Sequence, residues 1–421
     1  MRHFTPTNGQ MMVENINLST IADDVGTPAY VYSAATLTRH YNVFERAVSG
    51  MDALIAYSVK ANSNLAVLHL LAKLGCGADV VSGGELARAL AAGIPAEKIV
   101  FSGVGKTEVE LRAGLSAGIF QFNVESISEL ELLNSIAVEM GTFAPIAFRI
   151  NPNVCAGTHE KICTGRAENK FGVDIEDADA AFERARDLPG ISVRGIAMHI
   201  GSQIDNLAPF ASALTLGAGL IERLRTAGHT IDVFDIGGGL GIPYRAGETA
   251  PPEPGEYGEL VRRLTDGLGL KMVFEPGRMI AGNAGVLLAK TIYVKQGGVR
   301  NFLIIDAAMN DLIRPALYDA HHDIEPVATP ATDAEMVSYD VVGPICESGD
   351  TFTQHRLLPE MQAGDLLVLH SAGAYGAVQA SQYNSRPLVP EVLVSGDKFA
   401  VIRERPSMED ILKAESIPDW I

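Results

Sequence analysis

LIAYSVKAN, residues 54–62, is the stretch on which the fold turns. Leu54 to Val59 has the length and the apolar, partly β-branched make-up of a buried strand. Lys60 follows, then small and polar residues. An open dinucleotide-binding sheet would place a glycine-rich GxGxxG turn after its first strand, and SVKANSN is nothing like one. A lone lysine at a strand end is usually a solvated surface residue. The alternative is a Schiff-base lysine, partly desolvated so that some of it stays neutral and nucleophilic. The rest of the chain decides between the two.

Seven further strand-like runs follow at intervals: 78–81, 98–102, 119–123, 145–150, 193–199, 231–236 and 271–275. Segments with helical apolar spacing, such as GGELARALAAG and KTEVELRAGLSAG, separate them and often stop at glycine. Strand–helix alternation means parallel strands joined by crossover helices. Eight units of this kind predict an α/β fold built on a (β/α)₈ barrel, here placed at residues 36–282, with functional groups at the C-terminal strand ends. Those ends read Lys60; Asp79 to Ser82; Ser102–Gly103; Asn123 and Glu125; Arg149–Asn151; His199; Gly237–Gly239; and Glu275–Arg278. Polar groups and glycines recurring at one height move the Schiff-base reading of Lys60 ahead of the surface one. Beyond residue 282 the runs are β-like with little helix. They predict an antiparallel β domain from residues 283–421 that also takes in residues 1–35 and the strand AYVYS.

The chain has 421 residues with 33 basic and 51 acidic side chains, a formal charge of -18. That excess argues against polyanionic partners, nucleic acid or membrane. Cys76, Cys155, Cys163 and Cys346 form no CxxC pair, so neither a zinc ribbon nor a redox motif is expected. Cys155, Cys163 and His159 receive no role. MRHFTPTNGQ lacks the apolar core of a signal peptide, no apolar run reaches membrane-span length, and a cytoplasmic protein is expected.

A Schiff-base lysine can serve an aldolase or hold pyridoxal 5'-phosphate (PLP). PLP needs a phosphate cradle, a group on the ring face and a partner for the pyridine nitrogen. DIGGGLG (235–241) offers the cradle, His199 and Ser202 of AMHIGSQ a ring-face group and a phosphate donor, and Glu275 of FEPGR the nitrogen partner. Each signal is modest, and together they favour PLP.

The motifs AYSVKAN, GADVVSGGEL, RINPNVCAGTHEKICTGRAENKFG, MHIGSQ, DIGGGLGIPY, EPGR, LIRPALYDAHH, GPICESGD and AGAYG occur in that order over nearly the whole chain. In this order they resemble the diaminopimelate decarboxylases, within the PLP-dependent, alanine-racemase-like barrel group. The resemblance implies that Lys60 binds PLP. It implies cofactor contacts from Asp79, His199, Ser202, Gly238, Gly239, Glu275, Gly277, Arg278 and Tyr375. Arg278, Arg314, Tyr318, Glu347 and Tyr375 fall where the family binds substrate. Cys346 and Glu347 match the pair that the family's homodimer inserts into the neighbouring subunit's site, with Cys346 or Lys60 returning a proton to Cα. The implied reaction turns meso-diaminopimelate into L-lysine and CO₂.

Arginine with tyrosine for a distal carboxylate, and an acid for a distal ammonium, suit a substrate carrying an amino-acid head at each end. An ornithine, arginine or carboxynorspermidine decarboxylase has no such carboxylate to hold, and paired arginines would penalise it. A racemase typically meets the pyridine nitrogen with arginine, whereas here the position holds Glu275. A PLP carrier without turnover would have no use for the β domain.

Overall fold

The computed structural model describes residues 3–154, 169–245, 247 and 250–421. Cys155, His159 and Cys163 lie outside the described residues. The chain forms two compact units, residues 38–243 with 249–280, and residues 1–37 with 244–248 and 281–421.

The first unit is a closed barrel of eight parallel strands: β1 (Ala53–Ser58), β2 (Gly77–Val80), β3 (Ile99–Phe101), β4 (Gln121–Val124), β5 (Ala144–Asn151), β6 (Ile191–Ala197), β7 (Val233–Asp235) and β8 (Lys271–Phe274). Pairing runs in sequence order around the ring and closes through β8 against β1, where Val273 opposes Leu54. A short strand, Val173–Asp174, lies alongside the end of β5 and was not legible as a strand in the sequence. Three of the crossover helices start on side-chain caps supplied by the loops after β2, β3 and β4. Ser82 accepts from Glu85 N–H, Thr107 forms a capping box with Glu110, and Ser126 accepts from Glu129 N–H.

Leu54, Ala56, Val100, Val233 and Val273 form the apolar fill of the barrel. Outward-facing phenylalanines bind the helices to it. Phe148 packs 4.8 Å from Phe182 on helix Ala178–Arg186, and Phe274 meets Phe44 edge-on at 5.7 Å. Gly217 is needed in helix Ala208–Thr226 because a Cβ there would lie 2.4 Å from the Phe234 ring. Close packing of this kind makes each buried ring worth several kcal/mol, about 3–5 on truncation to alanine.

The second unit is built on a mostly antiparallel sheet. Strand Ala29–Ser33 pairs antiparallel with the long strand Gly285–Gln296, so the amino-terminal segment does enter this sheet. Two pairs are parallel, Ala29–Ser33 with Glu391–Ser395 and Asn301–Ile305 with Met336–Val342. Strands contributed from distant parts of the chain can lie side by side in either direction, which hairpin-like spacing alone does not reveal. A small three-stranded sheet covers residues 4–17. No helix among the described residues is long and apolar enough to cross a membrane.

Candidate active site

Side chains two apart on a strand share a face. In β1, β3, β7 and β8 the inward apolar residues Ala56, Val100, Val233 and Val273 are each followed two positions on by a polar one: Ser58, Ser102, Asp235 and Glu275. The barrel therefore changes from an apolar floor to a polar rim within two residues of each of these strands. Asp79 from β2 and Asn123 from β4 complete the rim. Asn123 Nδ2 donates to Asp235 Oδ2 at 2.9 Å and to Ser102 Oγ at 3.1 Å. Ser58 Oγ donates to Asp79 Oδ2 at 2.9 Å.

The rim opens into a cavity of about 540 Å³ whose lining includes Lys60, Ser102, Asn123, Arg149, His199, Asp235 and Glu275. Lys60 does not end the strand as the apolar run suggested. β1 stops at Ser58, and Val59–Ala61 turn as a single 3-10 helix that swings the lysine over the rim. Its Nζ lies 2.7 Å from Asp79 Oδ2. Burial pushes the Asp79 carboxyl up, but the Lys60 ammonium and the hydrogen bonds from Lys60 and Ser58 outweigh it and hold the group below its ordinary value.

The other two carboxyls behave oppositely. Burial raises Glu275 well above the usual range, reinforced by the charges of Asp235 and Asp79. Burial also raises Asp235, to about 6, against hydrogen bonds from Asn123 and the Gly237 N–H. Such a carboxyl is lowered again by a cation brought against it, as a protonated ring nitrogen would be. His199 stands two residues beyond the end of β6. Its Nδ1 accepts from Gly238 N–H at 3.2 Å, so that nitrogen carries no proton. Burial, with the Arg149 and Lys60 charges, pushes the imidazole down to about 3 and keeps the ring neutral.

The glycine run after β7 is packed tightly. A Cβ at Gly238 would sit 2.2 Å from Glu275 O, and one at Gly239 2.5 Å from Gly201 O. Only glycine lets this backbone pass so close to β8 and the His199 loop. Gly277 is similarly confined, with Ser58 and Ala61 side-chain carbons at 3.0 Å. Buried Arg278 donates to Ser202 Oγ at 3.1 Å. A lysine held by a carboxylate, raised carboxyls facing the cavity, a neutral imidazole and a glycine cradle fit the amine-reactive carbonyl, protonated ring and phosphate of PLP.

The remaining expected residues lie in the second unit. Arg314 is buried at the start of the short helix Arg314–Tyr318, with Gln379 Nε2 donating to Tyr318 Oη at 3.4 Å. Tyr375 has φ 56°, a left-handed conformation unusual for a non-glycine residue. Cys346 and Glu347 are exposed on a turn pinned from beneath: buried Asp350 accepts from Ile345 N–H at 2.7 Å and Met309 N–H at 2.6 Å.

The rim also uses residues to which the sequence motifs assign no role: Ser58, Ser102, Asn123, Arg149 and Asp235. A repeated signal marks most of them. Phe101-Ser102, Phe122-Asn123, Phe148-Arg149, Phe234-Asp235 and Phe274-Glu275 each pair a buried outward ring with a polar residue pointing inward.

Residues 34–282 match the family model described as the pyridoxal binding domain of pyridoxal-dependent decarboxylases. The chain is 50% identical over 421 residues to the diaminopimelate decarboxylase of Zymomonas mobilis, covering 99% of each. Solved structures include diaminopimelate decarboxylases complexed with L-lysine. That from Helicobacter pylori has a TM-score of 0.90 at 40% identity, covering 94% of this chain and 99% of that one. That from M. jannaschii has a TM-score of 0.94 at 38% identity, covering 99% of each. With the eight-stranded barrel, the lysine at its rim and full-length similarity in agreement, the chain belongs to the diaminopimelate decarboxylase family of pyridoxal-dependent decarboxylases.

Proposed function

We propose that this chain decarboxylates meso-2,6-diaminopimelate to L-lysine and CO₂, the closing step of lysine biosynthesis, with PLP held at the barrel rim. The observation that carries the reading is the Lys60–Asp79 pair beside the raised carboxyl of Glu275. When bound, PLP supplies an electron sink for the pair released as the α-carboxylate departs.

The chain's own groups prepare that event. Lys60 Nζ holds the cofactor covalently, and Asp79 fixes where the amine stands. Glu275, at the cavity wall, would meet the pyridine nitrogen of bound PLP and keep a proton there. His199, neutral because its Nδ1 is engaged by Gly238 N–H, offers a flat uncharged face to the ring. Gly238, Gly239 and Ser202 receive the phosphate, with Arg278 steadying Ser202 and Tyr375 and Gly277 assisting. Arg278, Arg314, Tyr318 and Tyr375 bind substrate, the distal carboxylate falling to the arginines and Tyr318. The protein acts as a homodimer, in which Cys346 and Glu347 of the partner subunit complete each site. Glu347 takes the distal ammonium and Cys346 Sγ–H returns a proton to Cα, with Lys60 Nζ as the other donor. The exposed, pinned turn that carries Cys346 and Glu347 supports this reading, since it presents both side chains outward on a rigid base.

Borohydride reduction of the PLP-loaded protein, followed by peptide mass analysis, tests the anchor. A pyridoxyl group on the peptide containing Lys60 is expected. A label on another lysine would overturn the assignment.

A further inference from the structure

The second unit holds a histidine whose two ring nitrogens are both committed. His322 is buried, eight residues past Arg314 and two before the start of the strand Ile324–Pro326. Its Nε2 lies 2.8 Å from Arg314 Nη1, and its Nδ1 lies 2.7 Å from His370 O. A guanidinium has only donors, so the bond to Arg314 enters the Nε2 lone pair. A carbonyl oxygen only accepts, so the ring proton sits on Nδ1. These two contacts allow one form alone, the neutral imidazole protonated at Nδ1. The tautomer is anchored by sheet geometry as well. Ile324 opposes Leu369 across the antiparallel pair, and His370 N–H donates to Asp323 O at 2.8 Å, so the His370 carbonyl is fixed relative to His322.

The guanidinium of Arg314 is held on a second side. It lies over the Tyr244 ring with its carbon 4.5 Å from the centroid, and Tyr244 in turn meets the His322 ring edge-on at 5.5 Å. Arg314, Tyr244 and His322 are thus a three-part stack that sets the plane of the guanidinium. We infer that His322 is a positioning residue for Arg314, fixing by its Nε2 acceptor and with Tyr244 the orientation in which Arg314 receives the distal carboxylate of the substrate. The inference rests on the role proposed above for Arg314.

The charges around His322 act with this assignment. Arg314 lies against Nε2, and Arg356 Nη2 donates to the His322 carbonyl at 3.1 Å. Two cations thus oppose a third on the ring. Asp323 follows in sequence and pairs with His321 at 2.8 Å, while Glu325 pairs with His370 Nε2 at 3.0 Å. Arg245 reaches His321 Nδ1 at 3.3 Å. Protonating Nε2 would replace an acceptor with an N–H facing a guanidinium N–H, and Arg314 would lose its rest.

The test combines kinetics with a spectroscopic signature. His322→Leu, in the PLP-loaded enzyme, should raise KM for diaminopimelate about tenfold to a hundredfold while kcat changes less than about threefold, because a hydrogen bond to a charged group is lost in binding rather than in the chemical step. His322→Gln restores an acceptor near the Nε2 position and should recover most of KM. Arg314→Met separates the two claims. If it leaves KM unchanged, the role of Arg314 itself is wrong. If it raises KM while both His322 variants leave it unchanged, only the positioning role is wrong. Should His322→Leu fail to fold, ¹⁵N histidine spectra of the wild-type holoenzyme decide the matter. A neutral ring protonated at Nδ1 at about pH 8 is expected, and an imidazolium or the opposite tautomer overturns the inference.

Discussion

Lys60 Nζ stands 2.7 Å from Asp79 Oδ2 across the mouth of β1 and β2, and the carboxylate end of this pair is wholly buried while the lysine is about one-third exposed, at 34% of its side chain. Removing the lysine strands a buried charge. Lys60→Ala is expected to abolish turnover. It should also raise the Asp79 carboxyl and cost the apo-protein about 1 kcal/mol at neutral pH, a modest figure because solvent screens the lysine. Asp79 is depressed in the fold, so its contribution is present above the ordinary carboxylate value of about 4 and is lost as pH falls through its lower folded value. Carbon NMR of the Asp79 carboxyl in wild type and Lys60→Ala checks this. An unchanged titration would contradict it.

Glu275 is shifted the other way, and the sign of its effect reverses. A carboxyl raised by folding binds its proton more tightly in the native state, so stability falls as pH rises above the unfolded value of about 4.3. Glu275→Gln removes that cost. The apo-variant should therefore be more stable than wild type at about pH 8, by about 1–3 kcal/mol, with the difference vanishing below about pH 4. Its PLP-loaded form should nevertheless lose about a hundredfold or more in kcat, since an amide cannot hold the ring nitrogen's proton by charge. Urea unfolding of the apo-protein at the two pH values, beside steady-state kinetics, measures both.

His199, pushed down to about 3, stays uncharged across the working range. Its ¹⁵N spectrum should show an unprotonated Nδ1 from about pH 5 to 9, with no limb in PLP affinity due to this ring. An imidazolium appearing near pH 6 would contradict the neutral stacking face.

Gly238→Ala would drive a Cβ to 2.2 Å from the Glu275 carbonyl oxygen. Backbone must move there, and PLP affinity should fall by about a hundredfold or more while the barrel keeps its far-UV spectrum. Gly219, where an added Cβ would meet nothing within 4 Å, serves as the control, and Gly219→Ala should leave affinity unchanged.

Sharing of the site between subunits has a direct readout. Lys60→Ala and Cys346→Ala homodimers should each be nearly inactive. Mixed and allowed to exchange, they should regain about a quarter of wild-type activity, because a heterodimer contains one site with both residues intact. No recovery on mixing, with exchange verified by mass, would place both residues in one subunit's site.

The barrel was legible because each strand is short, apolar and bounded by an amphipathic helix, so that period alone finds it. Its strands begin and end within a few residues of the runs read from the sequence. The chemistry of the rim was less legible. Asn123 reads in the sequence as a strand-end residue without a role and Asp235 only as the start of the glycine run; what joins them in the rim is their inward facing, which the Phe-polar dipeptides mark only once the ring is known to be closed. Lys60 reads as the end of a strand because Val59 is apolar, yet a 3-10 turn already begins at Val59. His322 sits with Arg314 within the motif LIRPALYDAHH, but the carbonyl that its Nδ1 meets is that of His370, on the neighbouring strand's end and remote in sequence. Likewise the parallel pairing of Ala29–Ser33 with Glu391–Ser395 joins segments that no local pattern connects.

The central claim is tested by incubating the PLP-loaded protein with meso-diaminopimelate, ornithine, arginine and L-lysine in parallel. CO₂ and lysine are followed, with Lys60→Ala as the blank. Equal amounts of CO₂ and L-lysine from diaminopimelate alone, absent in the variant, are expected. CO₂ from ornithine or arginine, or none from diaminopimelate in protein that carries PLP on Lys60, would contradict the account.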